Sequence, residues 1–245
     1  MIAEKQLDEF VSRMQKATGE NLQSVILYGS AAAGDFSPEF SNLNLLCILR
    51  DTDFVKLSSM APVVEWWHRQ KHPAPLVMLQ EELERSADVF SIELLDMQRH
   101  HRVVFGDDAL TGLQVPMHLH RAQVEYELRE KIILLRQRLL LAVGKDRDLW
   151  DLLLGSFPAF ATLLRHALIA LGDASPRSKR EAVQTLAARI QFDPSALLQL
   201  LDIREHKTDR KQFNVKDVFT RYLAAVQHVT TAVDTMLDTS GPAQV

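Results

Sequence analysis

The stretch "SVILYGSAAAGDFSPEFSNLNLLCIL", residues 24–49, decides the fold. Its opening run, SVILY, is short, apolar and rich in strand-favouring side chains, so it predicts a β-strand. Gly29 and Ser30 follow at once. Glycine lets the chain turn sharply there, and such a turn can present backbone amides and a hydroxyl to a phosphate. Gly-Ser turns are common, so this pair alone also reads as a plain turn. A polar excursion over residues 31–41 leads into Asn42-Leu43-Asn44 and a second apolar run, LNLLCIL. Alternation along a strand places Asn42 and Asn44 on one face. Both runs are apolar on both faces, as suits the centre of a buried sheet.

Working outward, residues 2–18 carry Ile2, Leu7, Phe10, Val11 and Met14 near helical spacing and predict an amphipathic helix. TDFVKLSSMAPVVEWWHRQ predicts a helix interrupted near Pro62, PLVML a third strand, and EELERSADVF a helix or turn. SIELLDMQRHHRVVFG reads as one or two further strands closed by Gly106 and Asp107-Asp108.

Beyond about residue 115 the periodicity becomes helical. Leu128, Ile132, Leu135, Leu139 and Val143 form a stripe at intervals of three and four. Ser156-x-Pro158, Ser175-Pro176 and Asp193-Pro194 read as helix starts, with the capping residue ahead of a proline in the first turn. Asn214 opens a last helix carrying Val218, Tyr222, Val226, Val229 and Val233. The expected architecture is an α/β domain with a mixed sheet over residues 1–112, an all-α antiparallel bundle over 116–238 and a flexible tail over 239–245.

Composition narrows the function classes. The chain has 245 residues, 47% hydrophobic and 24% charged, with a formal net charge of −4. That balance is globular and gives no strong nucleic-acid signal. One cysteine, Cys47, lies in an apolar run and reads as a buried thiol. The N-terminus carries acids and no long apolar core, and no apolar run reads as a membrane span, so the expected location is cytoplasmic with no membrane partner.

The strand, Gly29-Ser30, excursion and Asn42-x-Asn44 of LYGSAAAGDFSPEFSNLNLLCIL together resemble the nucleotidyltransferase superfamily, which includes DNA polymerase beta-like, kanamycin-type aminoglycoside and antitoxin-type nucleotidyltransferases. The helical half resembles the bundle that follows this fold in the kanamycin-type members. The resemblance implies that Gly29 and Ser30 sit at the nucleotide phosphates. It also implies that positions 42 and 44 should be the paired carboxylates that hold two magnesium ions on a triphosphate. Here both are asparagine. An amide oxygen can ligate a hard cation but brings no negative charge. Many members also carry a basic residue within the turn, where this chain has Ala33. The third carboxylate of the family lies on a later strand; Glu93, with Asp96 behind it, is the candidate.

Three functions follow. The first is a catalytically degenerate nucleotidyltransferase-like protein that binds a nucleotide or a protein partner, with no cofactor. The second is an active magnesium-dependent nucleotidyltransferase acting on a small molecule or on a protein or RNA hydroxyl, recruiting acids such as Asp35, Glu39 or Glu93. The third is an assembly module, including a homo-oligomer. An enzyme needs two or more acidic oxygens facing Gly29-Ser30; a binding protein keeps an open cleft there; an assembly module fills it.

Other clusters read more plainly. Among nine histidines, His100-His101 are adjacent and His118-x-His120 are two apart; spacing by two could suit zinc on a strand, but both pairs read as solvated. RSKRE at 177–181 and REHKTDRK at 204–211 read as solvated charge. Arg221 and His228 do not complete the ribonuclease motif of some associated bundles, because Tyr222 occupies its polar position. Trp66-Trp67 read as both packed into core in different directions, or as an exposed aromatic edge with one ring at a subunit contact.

Overall fold

The structure is a computed structural model that describes residues 2–32, 42–173, 175 and 178–239. The chain divides into two compact units, Met1–Met117 and His118–Val245.

The first unit is built on a four-stranded sheet. Strands β1 (Leu22–Tyr28), β2 (Asn44–Leu49), β3 (Leu76–Leu79) and β4 (His101–Gly106) lie in the order β3-β2-β1-β4. β1 runs antiparallel to both β2 and β4, and β3 runs parallel to β2. The parallel pair requires a crossover, which α2 (Phe54–Arg69) supplies. Period-two alternation then sorts the side chains to the two faces. Val25, Leu27, Leu45, Cys47 and Leu49 pack with Leu7, Phe10 and Met14 of α1 (Ile2–Thr18) and with Met60, Val63 and Trp67 of α2. On the other face, Ile26, Leu46 and Ile48 meet Leu83 of α3 (Gln80–Arg85), Leu94 and Met97 of α4 (Ser91–Arg99), and Leu110. Cys47 is fully buried, and burial pushes its thiol pKa up to about 12, so the expected inert thiol is what the structure holds.

Several readings change in this unit. Pro62 lies inside α2 without interrupting it. The cost of one lost backbone bond is outweighed because Met60, Val63 and Trp67 keep one buried stripe running through it. SIELLDMQ is a helix, not a strand. Ser91, Leu94 and Met97 are buried three apart, and this spacing beats the local alternation of SIEL. Trp67 is fully buried, 4.8 Å from Phe10 and 4.3 Å from His72 between ring centroids. Trp66 turns outward under the Arg13 guanidinium at 4.5 Å.

The second unit is helical: α5 (His120–Ala142), α6 (Asp146–Ala170), α7 (Lys179–Ile190), α8 (Ser195–Arg204) and α9 (Val215–Thr239). α6 is central and packs against α5, α7, α8 and α9. Ser156 does not start a helix; α6 runs through it and through Pro158, because Leu149, Leu153, Phe157, Phe160 and Leu164 form one buried face. By length and composition α6 is apolar enough to cross a membrane, contrary to the sequence reading. Half of its most apolar window is buried within the fold, as befits a core helix. Ser178 caps α7 in a reciprocal box with Glu181, downstream of the expected Ser175-Pro176, and Pro176 lies outside the described residues. Asn214 caps α9 as expected, and Val218, Tyr222, Val226, Val229 and Val233 are all buried. The α5 stripe holds at Leu128, Ile132 and Leu135 and fails at Val143, which is 57% exposed.

Candidate functional site

β1 ends at Tyr28, and residues Gly29–Ala31 form a single tight helical turn closed by the Ala32 N–H donating to the Gly29 carbonyl at 3.0 Å. Gly29 has φ +79°, and a Cβ there would stand 3.1 Å from Asn44 Nδ2. The Asn44 amide therefore packs against the turn. Gly29→Val should cost about 1–3 kcal/mol, chiefly as backbone strain since the amide can rotate away. A thermal midpoint equal to that of the parent would refute this.

Tyr28 and Asn44 are cross-strand partners and so share a face. Tyr28 packs with the α3–α4 side of the sheet, which places Asn44 on that side too. Asn42 lies just before β2 and is exposed, so of the two asparagines Asn44 alone is held in the ladder. Glu93 reaches this region from α4. Burial, and then the negative charge of Glu93, raise the Tyr28 phenol pKa. Glu93 stands on α4, not mid-strand as expected, and lines the pocket on the sheet face where Leu94 and Met97 of α4 pack with Tyr28 and Leu46. β3 and β4, the later strands where a third carboxylate was expected, contain no Asp or Glu. Ala33, Asp35 and Glu39 lie outside the described residues, as does the Ser30 side chain.

The sequence resemblance implies a magnesium pair at these positions. Two amides and one helix-borne carboxylate supply one negative charge where a two-metal site uses several, and magnesium gives up its water only for well-charged oxygen sets. No group of three His, Cys, Asp or Glu able to hold a metal occurs among the described residues. The residues described do not fit a two-magnesium centre. On this face Asn44 stands opposite Tyr28, and Leu46 two residues on lies with Leu76 and Met78 of β3 around a cavity of about 230 Å³.

One cluster escaped the sequence reading. His101, the β4 partner of Tyr28, bonds to the Met97 carbonyl and, at 3.0 Å, to Asp108 Oδ2. Asp108 also accepts from the Thr111 hydroxyl at 2.7 Å and the Leu110 N–H at 3.0 Å. Burial works against the charged carboxyl, but these bonds outweigh it and bring its pKa down to about 2. The Asp-x-x-Thr spacing was the available signal. A depressed carboxyl stabilises the fold above the unfolded value of about 4 and loses that contribution as pH falls toward 2. Asp108→Asn should cost on the order of 1 kcal/mol at pH 7 after solvent screening, with the difference vanishing near pH 2. Urea titrations at both pH values check this.

The remaining clusters are structural. His120 is buried, not solvated, with its ring 5.2 Å from that of the buried His166 and tilted to it; helix packing at the start of α5 replaces the strand geometry. Arg180 pairs with Asp202 and Glu205, Arg204 donates to the Leu154 carbonyl, and Arg221 binds Asp217, Ser195 and Gln199. These basic residues tie helices together.

No protein-family model matches the chain, and no curated protein matches it. Among solved structures, the crystal structure of spectinomycin adenyltransferase AAD(9) from Enterococcus faecialis with ATP and spectinomycin matches with a TM-score of 0.60 over 94% of this chain and 99% of that one. Sequence identity is 14%, so the likeness is one of fold. With its Gly29 turn, mixed sheet and following helices, the chain has a nucleotidyltransferase-like fold joined to a helical domain.

Proposed function

We propose that this protein is a catalytically degenerate member of the nucleotidyltransferase-like fold that binds a nucleotide or a protein partner without transferring a nucleotidyl group. Asn44 carries the proposal. It packs against the Gly29 turn, and the sequence resemblance makes its position one where the family holds a carboxylate; on the sheet face it stands opposite Tyr28, with Leu46 two residues on. The spectinomycin adenyltransferase neighbour was crystallised with ATP, so an adenine nucleotide is the first ligand to test. Calorimetry with ATP in magnesium and in EDTA should show weak binding that gains little from the metal. A labelled-ATP transfer assay with spectinomycin, and with protein and RNA acceptors, should show no product. Metal-dependent pyrophosphate release abolished by Ser30→Ala would establish the enzyme reading instead.

For the protein partner, α5 favours a second copy of this chain. Tyr126, Ile133 and Leu140 are 65%, 54% and 78% exposed and recur every seven residues. A two-fold antiparallel pairing of α5 centred on Ile133 sets Tyr126 of each copy against Leu140 of the other, as an isologous contact demands. Sedimentation should give a dimer that Ile133→Glu converts to monomer; a monomeric wild type at high micromolar concentration refutes the pairing.

A further inference from the structure

We propose that the cavity between β2–β3 and α3–α4 is a binding site for a small, uncharged, apolar molecule of about the size of indole. The inference goes beyond the nucleotide reading: the site needs neither nucleotide nor metal, and it stands or falls separately.

Its chemistry is set by the lining. Leu46 and Met78 form the sheet side, and Leu83, Leu94 and Met97 the helix side, around about 230 Å³. The pocket is recessed between sheet and helices but open at one side, so an apolar guest would replace water against its apolar lining. An engineered aliphatic cavity of about 150 Å³ stays dry and takes up benzene, so this larger one suits a bicyclic aromatic or a short branched aliphatic. Two methionines in the wall let it adapt to shape.

The mouth is apolar too. Leu76 and Phe90 line the cavity and remain 44% and 48% exposed, with Val89 beside Phe90 at 54%. Exposed aliphatic and aromatic side chains at the opening of an apolar pocket are what an apolar ligand would cover.

The polar groups select against charge. Ser86 Oγ is 2.6 Å from the Glu82 carbonyl and donates to it, so its proton is committed within the helix turn. Glu93 is the one ionisable residue in the lining. Its negative charge acts on Tyr28 nearby and opposes an anionic ligand such as a fatty or aryl acid. A neutral molecule meets no such repulsion.

The test uses full-length protein labelled with ¹³C at the methionine methyls. Met78 and Met97 line the cavity, while Met14 and Met60, buried on the opposite face of the sheet, are internal controls. Indole should shift the Met78 and Met97 signals saturably, leave Met14 and Met60 in place, and bind at least tenfold more tightly than indole-3-acetate. Leu76→Trp, at a half-exposed position on the edge strand, should fill the mouth and weaken indole at least tenfold with the rest of the spectrum unchanged. Glu93→Gln, on the exposed side of α4, should narrow the gap between indole and its acetate. The proposal is overturned if no saturable shift occurs at Met78 or Met97 up to the solubility limit of indole, if Leu76→Trp leaves binding intact, or if the acetate binds as well as indole to the wild type.

Discussion

Gly106→Ala is expected to destabilise the sheet unit by about 3–5 kcal/mol. Gly106 ends β4 opposite Ser24 of β1 and has φ +74°, where side chains are disfavoured. A Cβ would fall 1.9 Å from the Gln23 carbonyl oxygen and 2.9 Å from its carbon. These are backbone atoms of a strand hydrogen-bonded on both sides, so no rotamer change relieves the overlap, and β1 or β4 must move. Movement also strains the next link, the Ser24 hydroxyl donating to the Asp107 carbonyl at 2.6 Å, and with it the Asp108–His101 cluster. Gly112→Ala is the control. Gly112 has φ +79° but nothing within 4 Å of where a Cβ would stand, so it bears strain alone at about 1 kcal/mol. Urea titration of the two variants separates collision from conformation; equal losses would remove the steric claim.

The contrast between these residues shows what the sequence could disclose. SVILY and LNLLCIL announced themselves as central strands because they are apolar on both faces, and the antiparallel β1–β2 pair has that character. Gly29 was legible because its turn joins two such runs. Gly106 was visible only as a boundary, since its close approach to Gln23 arises from pairing distant segments. The same limit explains SIELLDMQ. Within five residues its pattern fits a strand, and only the spacing from Ser91 through Leu94 to Met97, set against the Leu46 face it packs on, makes it a helix. Ser156-x-Pro158 misled for the opposite reason. Its local chemistry is that of a helix start, yet the buried face extending from Leu149 outweighs it. The site divides in the same way: alternation set Asn42 and Asn44 on one face of a strand, but β2 begins at Asn44 and leaves Asn42 exposed ahead of it, and the aliphatic pocket beyond Leu46 depends on the parallel pairing of β3 with β2.

Asn42→Asp combined with Asn44→Asp is expected to raise the affinity for magnesium– or manganese–ATP at least tenfold without producing transfer. At about 4 Å and an effective dielectric of about 20, each new carboxylate attracts a divalent ion by several kcal/mol gross, and solvation leaves a fraction of that. A tenfold gain needs only about 1.4 kcal/mol net. Asn44→Asp should contribute the larger share, because Asn44 is fixed in β2 against the Gly29 turn while Asn42 lies exposed ahead of the strand. Without metal the double variant should be less stable than the parent, since two added carboxylates two residues apart repel, and manganese should restore the loss. Transfer should stay absent because positioning an acceptor hydroxyl needs a pocket that two substitutions do not build. Calorimetry on the parent, both single variants and the double, each in magnesium, manganese and EDTA, reads these effects directly. If the parent already binds magnesium–ATP as tightly as the double variant, the asparagines suffice as ligands and the degenerate reading fails. If the double variant gains affinity but Asn44→Asp alone gains none, the Gly29–Asn44 contact does not anchor a ligating position.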